Sequence, residues 1–202
     1  MNTTSPDSTG TPRLHTLDEF PELTPEEVGR RFLKLIDSLK SFDDLSVERL
    51  QDMMHLPMVN APETSGGYLI LRMPDSGWQY SFSYRIDAKY PRYTNAAFEF
   101  NHDDGRADMA RVCGMDLDAY VAELNKVGFV EREDLAQYDS PMPPVNPDGT
   151  TEERRFFRLP GYIFTRGNVG VLVRERREAD MPEAKRHHAC VEAISVGRMS
   201  GN

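Results

Sequence analysis

Cysteine is scarce, a single tryptophan occurs at position 78, and the chain has neither a long apolar run nor a short catalytic signature. The two cysteines, Cys113 and Cys190, are far apart and neither belongs to a CxxC pair. That spacing indicates no disulfide framework, and two thiols alone cannot close a zinc site, so the expectation is two buried free thiols. No apolar stretch approaches the roughly 18 residues that a membrane-spanning helix needs. The N-terminal MNTTSPDSTGTPRLHTLDEF lacks the basic and apolar segments of a secretory signal, which leads to the expectation of a soluble, cytoplasmic protein. A P-loop, a GxGxxG after a strand, HExxH, GxSxG and an EF-hand loop are all missing, so binding is favoured over chemistry and no cofactor is implied.

Positive charge is also in short supply. Lys and Arg number 24 against 33 Asp and Glu, for a net charge of −9. The excess is uneven: residues 1–150 hold 26 acidic and 14 basic side chains, net −12, and residues 151–202 hold 7 and 10, net +3. An acidic body argues against nucleic acid, whose binders neutralise phosphates with Lys and Arg. It suits steering of a basic protein partner, although acidity also serves solubility alone. With 39% hydrophobic and 28% charged residues the chain falls in the globular range.

The patterning predicts an α+β domain over residues 21–198, preceded by a Ser-, Thr-, Pro- and Gly-rich tail at 1–20. Thr24-Pro25-Glu26-Glu27 reads as a capping box opening a helix with Val28, Phe32, Leu35, Ile36 and Leu39 on one stripe. Arg30, Arg31, Lys34 and Asp37 fill its other face. A second helix begins at Ser46, turns Val47, Leu50 and Met54 inward and stops before Pro57, completing a helical pair over 24–56. From Gly66 the period changes to 2. Residues 68–73 form a strand and Pro74-Asp75-Ser76-Gly77 a turn. Trp78, Tyr80, Phe82, Tyr84 and Ile86 then alternate with polar residues, and Ala96, Phe98 and Phe100 line a third strand, giving an antiparallel meander. This aromatic stripe could stack bases, but a helix-covered core face is the better reading for an acidic protein.

Asp116 caps a packing helix carrying Leu117, Tyr120, Val121 and Leu124, which Gly128 and Phe129 stop in a Schellman arrangement. The proline-rich 139–150 is a long loop. A second set of antiparallel strands follows at 155–159, 162–166 and 169–173, with Gly167-Asn168 as a hairpin turn. The charged RERREADMPEAKRHH interrupts them before a last strand at 189–196. Whether the two sets form one sheet or two is open at this level.

Three clusters could carry function. His187-His188 sits beside Cys190; adjacent strand residues face opposite ways, so only His188 and Cys190 could share a metal, and no further ligand pair is evident. His102-Asp103-Asp104-Gly105 with Asp108 is an acidic loop that could bind a cation, act as acid and base, or face a partner. EF-hand spacing fails there, and a solvated turn is its plain reading. Glu131, Glu133 and Asp134 form a second acidic run. Asp103, Asp104, Asp108, Glu131, Glu133 and Asp134 are therefore the residues expected to meet a basic partner.

Residues 24–54, TPEEVGRRFLKLIDSLKSFDDLSVERLQDMM, and 115–130, MDLDAYVAELNKVGFV, followed by YIFTRGNVGVLV and CVEAISV, together resemble small acidic immunity proteins of bacterial toxin–immunity loci. These are the antidotes of type VI secretion and Rhs-type polymorphic toxins. The resemblance implies a non-enzymatic protein that caps the active site of a cognate toxin or effector, in the cytoplasm or periplasm according to where the toxin acts. It carries over no functional residue. Two other readings are an effector-binding secretion chaperone and a small enzyme using His102, Asp103 and Asp104.

Overall fold

The computed structural model describes residues 15–61, 66–74, 76–135, 137–139, 156–158, 161–176 and 189–199. Its three α-helices begin where side-chain oxygens satisfy the otherwise unpaired N–H groups of a first turn. Thr24 Oγ1 accepts from the Glu27 N–H at 3.2 Å to open α1 (Pro25–Ser38), with Pro25 in the first turn. The Glu27 carboxylate does not close a capping box; it takes the Arg31 guanidinium at 2.7 Å. Ser46 Oγ accepts from the Arg49 N–H to open α2 (Val47–Met54), which ends at His55 with φ 47°. Arg31, expected on the solvent face of α1, is half-buried instead: it donates to the Met54 carbonyl at 3.0 Å and ties α1 to the end of α2. Asp116 Oδ1 accepts from the Ala119 N–H to open α3 (Leu117–Lys126). At the other end of α3, Gly128 takes φ 86°. The Gly128 N–H then reaches the Asn125 carbonyl, and the Phe129 N–H reaches the Leu124 carbonyl at 3.0 Å. These are the two bonds of a Schellman stop, closed by buried Leu124 and Phe129.

The strands form one mixed sheet. They are β1 (His15–Thr16), β2 (Val59–Ala61), β3 (Gly66–Arg72), β4 (Gln79–Arg85), β5 (Asn95–Asn101) and β6 (Val130–Glu131), then β9 (Tyr162–Arg166), β10 (Val169–Arg176) and β11 (Cys190–Arg198); β7 (Gln137–Asp139) and β8 (Phe156–Arg158) make a separate antiparallel pair. Across the main sheet the order is β1-β3-β4-β5-β11-β10-β9-β6, with β2 also on β3. The expected meander is β3-β4-β5. Antiparallel pairing of β11 with β5, Val196 opposite Ala96, joins it to the second strand set. One sheet therefore results, with the 156–158 segment outside it. His15–Thr16 pairs in parallel with β3, inside the segment expected as a tail; residues 1–14 lie outside those described. The 139–150 loop, apart from Asp139, and most of the charged 174–188 stretch also lie outside them.

Period-2 alternation buries one face under the helices. In register across the strands run Leu69, Phe82, Phe98, Ile194 and Val173, and beside them Tyr84, Ala96, Val196, Val171 and Phe164, all buried. Phe32 of α1 meets Phe82 edge-to-face at 5.6 Å, and the buried Tyr80 hydroxyl donates to the Leu23 carbonyl at 2.7 Å. The aromatic stripe is thus core. The Gly167-Asn168 turn gives a two-residue hairpin, Arg166 opposite Val169, in which Gly167 supplies φ 62° at the first turn position.

That hairpin also anchors the helices. The Arg166 guanidinium donates to the carbonyls of Ile36, Asp37 and Leu39 at the end of α1 and to Val127 at the end of α3, and lies 4.5 Å from the Phe129 ring centre. A cation at two helix C-termini satisfies carbonyls that the helix ends leave over, beside the Leu39 N–H that already reaches the Ile36 carbonyl at 3.2 Å, and complements both dipoles. Next to it, Asn168 Oδ1 accepts from the Phe42 N–H at 2.8 Å.

The cysteines overturn the free-thiol expectation: Cys113 and Cys190 form a disulfide, with Cα atoms 5.4 Å apart across 77 residues. Spacing in sequence was uninformative because the two meet only through the fold. The link fastens the loop before α3 to the start of β11, where the Leu117 N–H also donates to the Ala189 carbonyl. It removes Cys190 from any metal set with His188, which itself lies outside the described residues.

Two stability predictions follow from these anchors. In the chain-entropy picture, closing a loop of this length contributes about 4 kcal/mol. The Cys113→Ser/Cys190→Ser double variant should therefore unfold at much lower denaturant than the oxidised protein, and an unchanged midpoint would show that the bond does not form. Arg166→Ala should cost roughly 2–3 kcal/mol by stranding carbonyls that now accept from a cation. Arg166→Lys should recover only part of that, because an ammonium cannot fork to several carbonyls, as equilibrium unfolding would record.

Candidate functional site

The two ends of the sheet present different chemistry. At the C-terminal end of β5, the 102–108 loop is held by its own side chains. His102 Nδ1 lies 2.9 Å from the Asp104 N–H and His102 Nε2 lies 3.2 Å from the Ser76 carbonyl, so Nδ1 accepts and the Nε2–H donates. Asp104 Oδ1 accepts from the Arg106 N–H at 2.9 Å, and Asp108 Oδ1 accepts from the Ala110 N–H at 2.8 Å. The Asp108 carbonyl receives the Trp78 indole N–H at 3.0 Å. Arg176 stacks 5.3 Å from the Trp78 ring centre and donates to the Gly105 and Ala107 carbonyls.

Asp104 and Asp108 are consequently turn-forming residues, whereas Asp103 is exposed and makes no hydrogen bond or ion pair among the described residues. Glu131 lies on the short edge strand β6, and Glu133 and Asp134 begin a 3-10 turn beyond it. Asp134 is chelated by Arg132 at 2.7 and 2.8 Å, while Glu131 and Glu133 are exposed. The two acidic runs are not brought together: Glu131 is level, through Phe164, Val171 and Val196, with Ala96 near the start of β5, whereas the 102–108 loop follows the end of that strand. Four inter-strand steps, about 19 Å, separate β5 from β6.

A different surface stands at the opposite end, in the loop joining β4 to β5, which the sequence reading did not single out. Its centre is Asp87. One carboxylate oxygen accepts from the Lys89 and Tyr90 N–H groups at 3.1 and 2.7 Å; the other takes Arg85 at 2.6 Å. The buried Thr94 hydroxyl accepts from the Asp87 N–H at 2.9 Å. A 3-10 turn over Pro91–Tyr93 completes the loop. So braced, the loop displays Tyr90 and Tyr93, each 46% exposed. The rings meet edge-to-face at 6.1 Å; Lys89 lies 5.1 Å from the Tyr90 centre, and Arg92 and Arg85 lie 4.8 and 5.7 Å from the Tyr93 centre. The readable signal was AKYPRYT, cations interleaved with tyrosines around a proline.

A third feature is a groove of about 230 Å³ between α1 and α3, lined by Arg30, Leu33, Lys34, Asp37, Glu123, Lys126 and Val127. Its charges are largely paired within the chain: Arg30 with Glu26, Lys126 with Glu123 and Asp37 with Arg166. Among the described residues no three His, Cys, Asp or Glu side chains converge as a metal set, and no helix is long and apolar enough to cross a membrane. Comparison with known protein families, curated proteins and solved structures found no match.

The Tyr90 N–H bond, with help from Arg85, holds the Asp87 carboxyl below the usual carboxylate range, against a smaller opposing effect of burial. A depressed folded-state pKa means that the unfolded chain binds the proton more readily. The bracing by Asp87 should therefore be complete above the ordinary carboxylate range and be lost as pH falls through the lower folded value. Exchange of the Tyr90 amide followed against pH checks this, and Asp87→Asn should speed that exchange already at neutral pH.

Proposed function

We propose that the chain acts by binding a protein partner rather than by catalysis, as an immunity-type antidote that occludes a basic cognate toxin or effector. One observation supports this reading above the others. Of the three residues a small enzyme would use, two are occupied in holding the 102–108 loop: both His102 ring nitrogens and Asp104 bond to the chain itself, which leaves Asp103 without its proposed partners. What remains is a set of exposed carboxylates on a braced frame, Asp103 at that end and Glu131 and Glu133 on and just beyond the edge strand β6. Exposed carboxylates placed by strands about 19 Å apart fit a broad basic surface better than one small substrate. Rigidity lowers the ordering cost of docking.

The disulfide supports an oxidising compartment in place of the cytoplasm expected from the N-terminus, since cytosolic thiols are kept reduced. The antidote would then meet its toxin where such bonds persist. Thiol alkylation of the protein taken directly from cells checks the compartment: Cys113 and Cys190 should resist labelling until a reductant is added.

The decisive experiment is co-expression with candidate toxin domains taken from the adjacent reading frames. Growth should be rescued, the purified complex should weaken as salt is raised, and Asp103→Ala/Glu131→Ala/Glu133→Ala should weaken it further. Failure to rescue growth removes the antidote reading. Affinity that ignores both salt and the triple substitution removes the acidic contact surface.

A further inference from the structure

We propose that the β4–β5 loop is a second interaction surface, which docks a short acidic segment of a partner protein through Arg85, Lys89 and Arg92 flanking Tyr90 and Tyr93. This surface is separate from the proposed acidic contact and opposite to it in charge. Four features converge on it. The loop exposes two tyrosines while the sheet's other aromatic side chains are buried or half-buried. Rigid amphipathic rings of this kind, with arginine, dominate the energetics of protein interfaces. Its cations outnumber its anions: Arg85, Lys89 and Arg92 face Asp87, and because that carboxylate is turned inward to two backbone N–H groups and paired with Arg85, Lys89 and Arg92 are left over. Stacking on the rings, at 5.1 and 4.8 Å, holds Lys89 and Arg92 in place without neutralising them, while Arg85, 5.7 Å from the Tyr93 centre, is already paired with Asp87. Finally, Pro91, Thr94 and Asp87 set the loop's shape before any partner arrives, so little order has to be gained on binding.

The occupant is argued from charge and extent. A nucleic acid is a long polyanion, and beyond this loop it would run over a chain whose net charge is −9. A short segment with a few Asp or Glu and neighbouring apolar residues satisfies Lys89 and Arg92, can share Arg85 with Asp87, and covers both rings without leaving the patch.

The test pans the full oxidised chain against a library of random short peptides. Selected peptides should be enriched in Asp and Glu, and should lose about tenfold or more in affinity to Lys89→Glu/Arg92→Glu and, separately, to Tyr90→Ala/Tyr93→Ala. Asp103→Ala/Glu131→Ala/Glu133→Ala should bind them unchanged, which separates this surface from the acidic one. Thermal melts establish that each variant folds. Lack of enrichment, enrichment in non-acidic sequences, or equal binding by both folded loop variants overturns the proposal. So does a single-stranded oligonucleotide that binds at this loop more tightly than any selected peptide.

Discussion

Two helices end on one guanidinium. α1 and α3 both begin near the 109–116 segment and both finish at Arg166, whose donors meet three carbonyls of one helix end and one of the other. Parallel helices packed on one sheet face bring like ends of their dipoles together, and at the C-terminal end the unpaired carbonyls accumulate. A cation rising from β9 into that corner resolves the conflict. Its place is set by the strand's period, because Arg166 shares a face with Phe164, and by the hairpin turn immediately after it. The Phe129 ring, delivered by the Schellman stop of α3, closes the guanidinium's remaining face. The turn, the helix stop and the arginine therefore depend on one another.

The opposite corner is fastened covalently. There Cys113 and Cys190 link the approach to α3 with the first residue of β11, and Trp78, His102 and Arg176 pack the neighbouring loop. β11 is the strand that converts two hairpin-connected sets into a single sheet, through its register with β5 on one side and β10 on the other. Fixing its start constrains the whole pairing, since a one-residue slip would turn Ile194 and Val196 away from the core.

Signals that act over a few residues were legible in the sequence: Thr24, Ser46 and Asp116 as caps, the alternation from Trp78 to Ile86, the stop at Gly128-Phe129, and the two-residue turn at Gly167-Asn168. Each depends on local backbone geometry, which the chain encodes locally. Partnerships over long separations were not legible. Cys113 meets Cys190 only because β11 enters beside β5, and Arg166 reads as an ordinary polar strand residue until two helices end above it. The acidic loops illustrate a different limit. Composition marked Asp103, Asp104, Asp108, Glu131, Glu133 and Asp134 alike, but hydrogen bonding divides them, with Asp104 and Asp108 shaping turns and Asp134 held by Arg132. Net charge counts carboxylates without showing which are already bonded, and it hides a cationic loop inside an acidic chain.

That concealed loop changes how the chain's electrostatics should be understood. β5 alone is seven residues long, so its two ends lie about 23 Å apart at the usual rise per residue. Screening at physiological salt acts over about 8 Å, which leaves exposed charges at the two ends nearly independent. The net charge of −9 then describes neither end. It contributes a weak overall bias toward cationic partners during diffusion, whereas contact is governed by the groups within a Debye length. At the 102–108 loop those include the exposed Asp103, and at the β4–β5 loop they are Lys89 and Arg92 beside exposed tyrosines. A sheet whose corners are held by an arginine and a disulfide can keep both surfaces preformed, because neither loop has to order the other.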